Sequence, residues 1–281
     1  MFRISNKYDL FKYNEQYFRP SKLPAINVTF FDYTFFDRYS NDDYNKIKLP
    51  DSLFYTPETT ILNFFSILRE AESISDVGCG SIGNARSPYP ISYMFFTPKF
   101  RQDISYKTYL HSFMNIGHIN LIKLYKQTNA SVADKNYKYF IELETIEKST
   151  NGNAAFSYYY GYIYLQNENE RYKISNIELT AEDFLCAAYH GWAHNAEFYV
   201  DVVYGDWCNL IKKRYPTEQV GYIKNIYIAG NDGREYLFQF IQLTNGTDIE
   251  IGQYVKNYIN HWEIIKIDVH SCLRTNKKGR K

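Results

Sequence analysis

From Ile119 to Leu179 the chain abandons helical spacing and keeps to a period of two, which constrains its fold more than any short motif does. Ile119, Leu121, Lys123 and Tyr125 alternate with Asn120, Ile122, Leu124 and Lys126, the mark of a strand. "YKYFIELETIEK" (137–148), "AAFSYYYGYIYLQ" (154–166) and "RYKISNIEL" (171–179) read as three more, joined by the polar turns "STNGN" and "NENE". Such a run predicts an antiparallel meander. In its third strand Phe156, Tyr158, Tyr160, Tyr162 and Tyr164 share one face, which is either a packed sheet surface or the lining of a pocket. Aromatic residues make up 19% of the 281 residues, with 29 Tyr, and the ring-plus-hydroxyl of Tyr suits half-buried sheet faces and grooves.

The segment before the meander reads as helical. Thr56 can cap a helix, Pro57 suits its first position and Glu58 complements its positive end. Ile61, Phe64, Phe65 and Leu68 then recur at three- and four-residue steps, one buried stripe. "SYMFFTPKFRQDISYKTYLHSF" predicts two short helical pieces, the second capped by Asp103 or Ser105 and burying Tyr106, Tyr109, Leu110 and Phe113. Residues 1–50 are aromatic but broken by Pro20 and Pro24, and read as an arm packed on the body, with one strand expected from Ile26 to Phe31.

Between these helices lies "SISDVGCGSIGNA", Ser73 to Ala85, which invites comparison with cofactor-binding loops. A Rossmann-type loop needs an apolar strand running into the acidic residue and a helix launched from the last glycine. Here the polar "REAESIS" precedes Asp76, and Pro88 and Pro90 are expected to stop a helix soon after Gly83. Gly78, Gly80 and Gly83 therefore read as a helix–helix connector, and no cofactor is expected.

After the meander, "TAEDFLCAAYHGWAHN" (180–195) reads as a connector with a helical turn, "AEFYVDVVYG" as a strand and "DWCNLIKKRYP" as a short helix stopped by Pro216. Three further strand regions follow, "GYIKNIYIAG", "REYLFQFIQLTNG" and "IEIGQYV…HWEIIKIDV", with hairpin turns at "GNDG" and "TNGTD". "GYIYLQ…ERYKISNIEL" and "GQYVKN…NHWEIIKIDV" echo each other, Tyr172 matching Trp262 and Ile174 and Ile177 matching Ile264 and Ile267. The two halves are either related units or alike only in their closing hairpins.

The stripe Ile61/Phe64/Phe65/Leu68, "YMFFTPKFR", "SYKTYLHSF" and the closing "YGYIYLQNENERYKISNIEL", in that order over residues 53–180, resemble the NTF2-like (cystatin-like α+β) cone. The resemblance implies an α+β fold: a helix-plus-antiparallel-sheet cone at 51–182, after the arm at 1–50, and then a smaller antiparallel α+β domain at 183–273 with a basic tail at 274–281. The second unit departs from the family, since 196–270 read without a long first helix. Tandem domains of this family are familiar in bacterial conjugation-channel and exported accessory proteins, and the wealth of Asn, Ile, Lys and Tyr fits an AT-rich, low-GC bacterial genome or its mobile elements.

Chemistry is sparsely marked. Cys186-x3-His190-x3-His194, with Cys208 beyond, is the most metal-like cluster, yet paired CxxC and HExxH spacings are absent and Gly191 weakens the helix that would align it. It reads as packing beside Trp192 and Trp207 rather than as a metal or Cys/His nucleophile site. NTF2-like enzymes place an Asp or His base inside the cone. The candidates here are His111 and His118, at the passage from helix to strand, and Glu142 and Glu144 on a strand. The four cysteines (Cys79, Cys186, Cys208, Cys272) form no disulfide framework, with room for one bridge in an exported protein. A net charge of +1 with a single basic run, "RTNKKGRK", argues against nucleic-acid binding. No stretch approaches the ~18 apolar residues needed to span a bilayer.

The sequence thus predicts a non-catalytic binding or assembly module. Its ligand or protein partner is expected on an aromatic sheet face or in a cone pocket involving Tyr158, Tyr160, Tyr162, Tyr164, His111 and His118, with a homodimer formed through a sheet face. The expected setting is cytoplasmic, or exported if a signal segment is removed. The rival is a small-molecule isomerase or hydrolase with its site in the cone.

Overall fold

The computed structural model describes residues 23–40, 42–73, 86–127, 136–148, 152–182 and 191–278. The protein is α+β, with antiparallel sheets. Its residues group into two compact units, one drawn from Met1–Lys126 and Lys135–Glu182, the other from Gln127–Asp134 and Asp183–Lys281.

In the first unit a short helix, α1 (Tyr33–Asp37), precedes the principal helix, α2 (Pro57–Arg69). Thr56 caps α2 by accepting from the Thr59 N–H, Pro57 occupies its first turn, and Ile61, Phe64, Phe65 and Leu68 are all buried. Three one- to two-turn helices follow: α3 (Pro88–Tyr93), α4 (Pro98–Asp103) and α5 (Tyr106–His111). Thr97 caps α4, and Ser105 rather than Asp103 caps α5. Pro88 and Pro90 were expected to stop a helix; they begin one, because a proline in the first turn loses no helical hydrogen bond. The loop glycines Gly78, Gly80 and Gly83, with Asp76, lie outside the described residues.

The meander follows as β1 (Ile116–Lys126), β2 (Asn136–Lys148), β3 (Ala154–Glu168) and β4 (Arg171–Ala181), paired antiparallel in the order β1-β2-β3-β4. Ile119, Leu121, Ile141, Leu143, Ile163, Leu165 and Ile174 face α2 and form the core, and register shifts after Leu121 and Tyr164 change the parity that points inward. At the centre of β3, a Cβ on Gly161 would run into the backbone carbonyl of Glu178, so only glycine allows β4 this close. The stretch Ile26–Phe31 is not the expected strand. Its Ile26 N–H reaches the Leu121 carbonyl at 2.8 Å, but the next contact is made by a side chain. Asn27, fully buried, accepts from the Leu121 N–H at 2.9 Å and donates to the Ile119 and Phe65 carbonyls.

In the second unit "AEFYVDVVYG" is helical, not a strand. The helix α6 (Ala196–Tyr199) continues as a π-helical segment, Val200–Trp207. Asn195 caps it, and Ala196, Val200, Val203 and Tyr204 are buried along one side. The described part of the unit therefore has a helix ahead of its sheet, where 196–270 read without a long first one. "DWCNLIKKRYP" ends that helix and enters strand β5 (Ile211–Arg214) instead of forming one of its own. Strands β6 (Glu218–Val220), β7 (Ile223–Gly230), β8 (Glu235–Gln242), β9 (Asp248–Lys256) and β10 (Trp262–Ile264) complete a six-stranded sheet in the order β10-β9-β8-β7-β5, with β6 also on β7. Gly233 and Gly246 take positive φ in the two predicted hairpin turns. The basic tail is helical as far as Lys278 within α7 (Val269–Lys278). Tyr172 and Trp262 both stand on the last strand of a meander, opposite Asn167 and Lys256 respectively.

Candidate functional site

The helix stripe and the inward residues of the first sheet do not meet everywhere. Between them lies a cavity of about 330 Å3. Phe64, Phe65 and Leu68 of α2 form one wall; Phe96, Phe100 and Ile104, placed by α4, form another. Tyr109, Ser112 and Phe113 come from α5 and the turn after it, and Ile116, Ile119, Leu143, Thr145, Tyr159, Ile177 and Leu179 from the four strands. Seven of these residues are Phe or Tyr, and the polar atoms among them are hydroxyls, each already bonded. The Tyr109 hydroxyl lies 2.7 Å from Ser92 Oγ. Since the Ser92 proton has the Pro88 and Tyr89 carbonyls as acceptors, the phenol is the donor. Ser112 Oγ donates to the Tyr109 carbonyl at 2.9 Å and Thr145 Oγ1 to Glu147 Oε1 at 2.7 Å. Tyr159 is also hydrogen-bonded to Glu147; burial first, then that carboxylate, pushes its phenol up to about 12.

The residues singled out in the sequence lie elsewhere. None of Tyr158, Tyr160, Tyr162, Tyr164, His111 and His118 lines this cavity. The tyrosines occupy the opposite face of β3, and the neighbour that does line it is Tyr159. On that opposite face the structure joins two of them through a polar chain. His118 Nε2 lies 3.0 Å from Asn120 Oδ1, Asn120 Nδ2 donates to Glu144 Oε1 at 3.3 Å, and the buried Tyr158 hydroxyl donates to Glu144 Oε2 at 2.9 Å. Burial, assisted by the charge of Arg69, holds His118 below its ordinary value. The Tyr164 hydroxyl donates to Glu178, and Lys138 Nζ stands 3.7 Å from the centre of the Tyr162 ring. His111 ends α5 and is exposed.

Glu142 is fully buried on the same face and accepts from Lys123 Nζ at 2.6 Å, so it is an ion-paired group rather than an available base. Nothing in the sequence marked Lys123 beyond its place in the alternation. A second buried pair, Lys224 with Asp248 at 2.7 Å, sits at the start of α6, where Asp248 also accepts from the Ala196 N–H. The second unit also carries an open cleft of about 500 Å3 among Tyr215, Tyr227, Tyr236 and Trp262, where Lys256 donates to Glu235 at 2.8 Å.

The metal-like cluster is broken at Cys208. That residue is disulfide-bonded to Cys272, 64 residues on, with Cα atoms 4.7 Å apart. Its sulfur is therefore no thiolate ligand. Cys186 and His190 lie outside the described residues, and His194 ends a short 3-10 turn, Trp192–His194. Among the described residues no group of three His, Cys, Asp or Glu is placed to hold a metal, and no helix is long and apolar enough to cross a membrane.

No family model, curated protein or solved structure matches this chain.

Proposed function

We propose that this protein is a non-catalytic binding module whose first unit is an NTF2-like cone that holds a small apolar ligand. The observation that carries this reading is the cavity between α2 and the meander, walled by aromatic and aliphatic side chains whose few hydroxyls are bonded elsewhere. An isomerase or hydrolase site would need an acid or base facing the substrate. His118 and Glu144 supply such groups only on the other face of the sheet, and Glu142 is held by Lys123. A mostly apolar cavity of this kind favours hydrocarbon over water.

The test is calorimetric titration with 2-methylnaphthalene. Saturable one-to-one binding to the wild-type chain, lost on filling the cavity by Ile119→Trp, supports the reading. No binding to the wild type, or binding unchanged by that substitution in a folded variant, overturns it.

The Cys208–Cys272 disulfide supports an exported setting over a cytoplasmic one, because such bridges persist in oxidising compartments. Thiol trapping of the protein in its native cells checks this: the bridged form supports export, and the fully reduced form argues for the cytoplasm.

A further inference from the structure

We infer that the cavity selects neutral ligands that donate a hydrogen bond and rejects anions. This rests on the binding reading above and concerns the ligand's chemistry. Among the described residues the polar side chains that line the cavity are hydroxyls: those of Tyr109, Ser112, Thr145 and Tyr159. A hydroxyl has one proton to give and two lone pairs to receive. Each of the four has a protein acceptor for its proton: Ser92 Oγ for Tyr109, the Tyr109 carbonyl for Ser112, and Glu147 for both Thr145 and Tyr159. Lone pairs are what these groups have left to offer a guest.

Glu147 sets this polarity. Two neighbouring hydroxyls share one carboxylate as acceptor, Thr145 with the Ser157 carbonyl as a longer alternative at 3.2 Å, so both keep lone pairs rather than a proton for a guest. Among the described residues no Lys, Arg or His lines the wall to neutralise a bound anion. A carboxylate or phosphate placed here would exchange its water shell for unmatched acceptors and a nearby negative charge. An alcohol or phenol, by contrast, would give its proton to Thr145 Oγ1 or Tyr159 Oη. The size is also bounded, since a cavity of ~150 Å3 takes one benzene and this one is about 330 Å3. The class is thus a neutral, mostly hydrocarbon molecule of about two fused rings with one hydroxyl or N–H.

Three probes on one naphthalene ring, titrated separately into the full chain at pH 7, test the inference: 2-naphthol and 2-methylnaphthalene, which are isosteric, and 2-naphthoate, whose larger group is controlled for by the equally large 2-acetylnaphthalene. The expected order is 2-naphthol tightest, 2-methylnaphthalene about 5-fold weaker for want of one hydrogen bond, and 2-naphthoate weaker by on the order of 100-fold. Glu147→Gln returns a donor to the pair of hydroxyls; it is expected to reduce the 2-naphthoate penalty at least 10-fold while leaving 2-methylnaphthalene unchanged. Thr145→Val keeps the shape and is expected to bring 2-naphthol close to 2-methylnaphthalene. If 2-naphthoate binds as tightly as 2-naphthol to the wild type, the inference is wrong and the apolar-pocket reading stands. If no probe binds, including 2-methylnaphthalene, both fall together.

Discussion

Tyr109 gives its hydroxyl proton to Ser92 across 2.7 Å of buried space, so the phenol whose ring lines the cavity has its proton held by the protein. The two partners are not equivalent. Ser92 keeps the Pro88 and Tyr89 carbonyls as acceptors whether or not Tyr109 is present, whereas Tyr109 depends on Ser92. Ser92→Ala, which strands a buried hydroxyl, should destabilise by about 1–3 kcal/mol, and Tyr109→Phe by less than about 1 kcal/mol. Urea unfolding of both variants checks the asymmetry, and equal losses would show that the bond is not organised this way.

Asn27 ties three backbone groups on two elements, the Leu121 N–H and Ile119 carbonyl of β1 and the Phe65 carbonyl of α2. Asn27→Ala leaves the Leu121 N–H and the Ile119 carbonyl, on the outer side of edge strand β1, buried without Asn27, so a loss of about 3 kcal/mol is expected. A loss below about 1 kcal/mol in chemical denaturation would mean that water reaches them.

The bridge between Cys208 and Cys272 closes a loop of 64 residues in the second unit. Cys272→Ser should destabilise by about 2–4 kcal/mol under oxidising conditions and by almost nothing under reducing ones. Alkylation of the unfolded, unreduced chain followed by mass spectrometry should leave Cys208 and Cys272 unmodified; labelling of either would contradict the bridge.

His118 is held below its ordinary 6.5 by burial and the nearby Arg69. The folded protein therefore resists a proton that the unfolded chain accepts. Stability is full above pH 6.5 and falls as the pH drops from there toward the folded value. NMR titration should show a depressed histidine midpoint that is missing from His118→Gln, and the variant should show a flatter loss of stability below pH 6.5. A His118 midpoint at or above 6.5 would refute the burial.

Much of the first unit was legible because its signals agree. Thr56, Pro57 and the stripe from Ile61 to Leu68 mark a helix start and a buried face together, and the four alternating segments fall on β1 to β4 within a few residues. The second unit misled because its signals compete. Val200, Val202, Val203 and two tyrosines give "AEFYVDVVYG" the composition of a strand, yet Ala196, Val200, Val203 and Tyr204 carry helical spacing, and burial of that side decides. The pairing of Cys208 with Cys272 was beyond reach, since spacing alone does not say which cysteines the fold brings together. The cavity was hidden for another reason. The tyrosine run at Tyr158–Tyr164 draws attention to one face of β3, while Ile163 and Leu165 show that the core lies on the other. That a void remains there follows from where α2 and α5 sit above the strands, which alternation does not encode.

The central claim is that the space between α2 and the meander is apolar and open to a guest. Crystals of the unliganded protein pressurised with xenon test it most directly, because xenon enters dry apolar cavities without needing a hydrogen bond. The account predicts anomalous density among Phe64, Phe100, Leu143 and Tyr159. A xenon-free interior with these side chains packed against one another would contradict it.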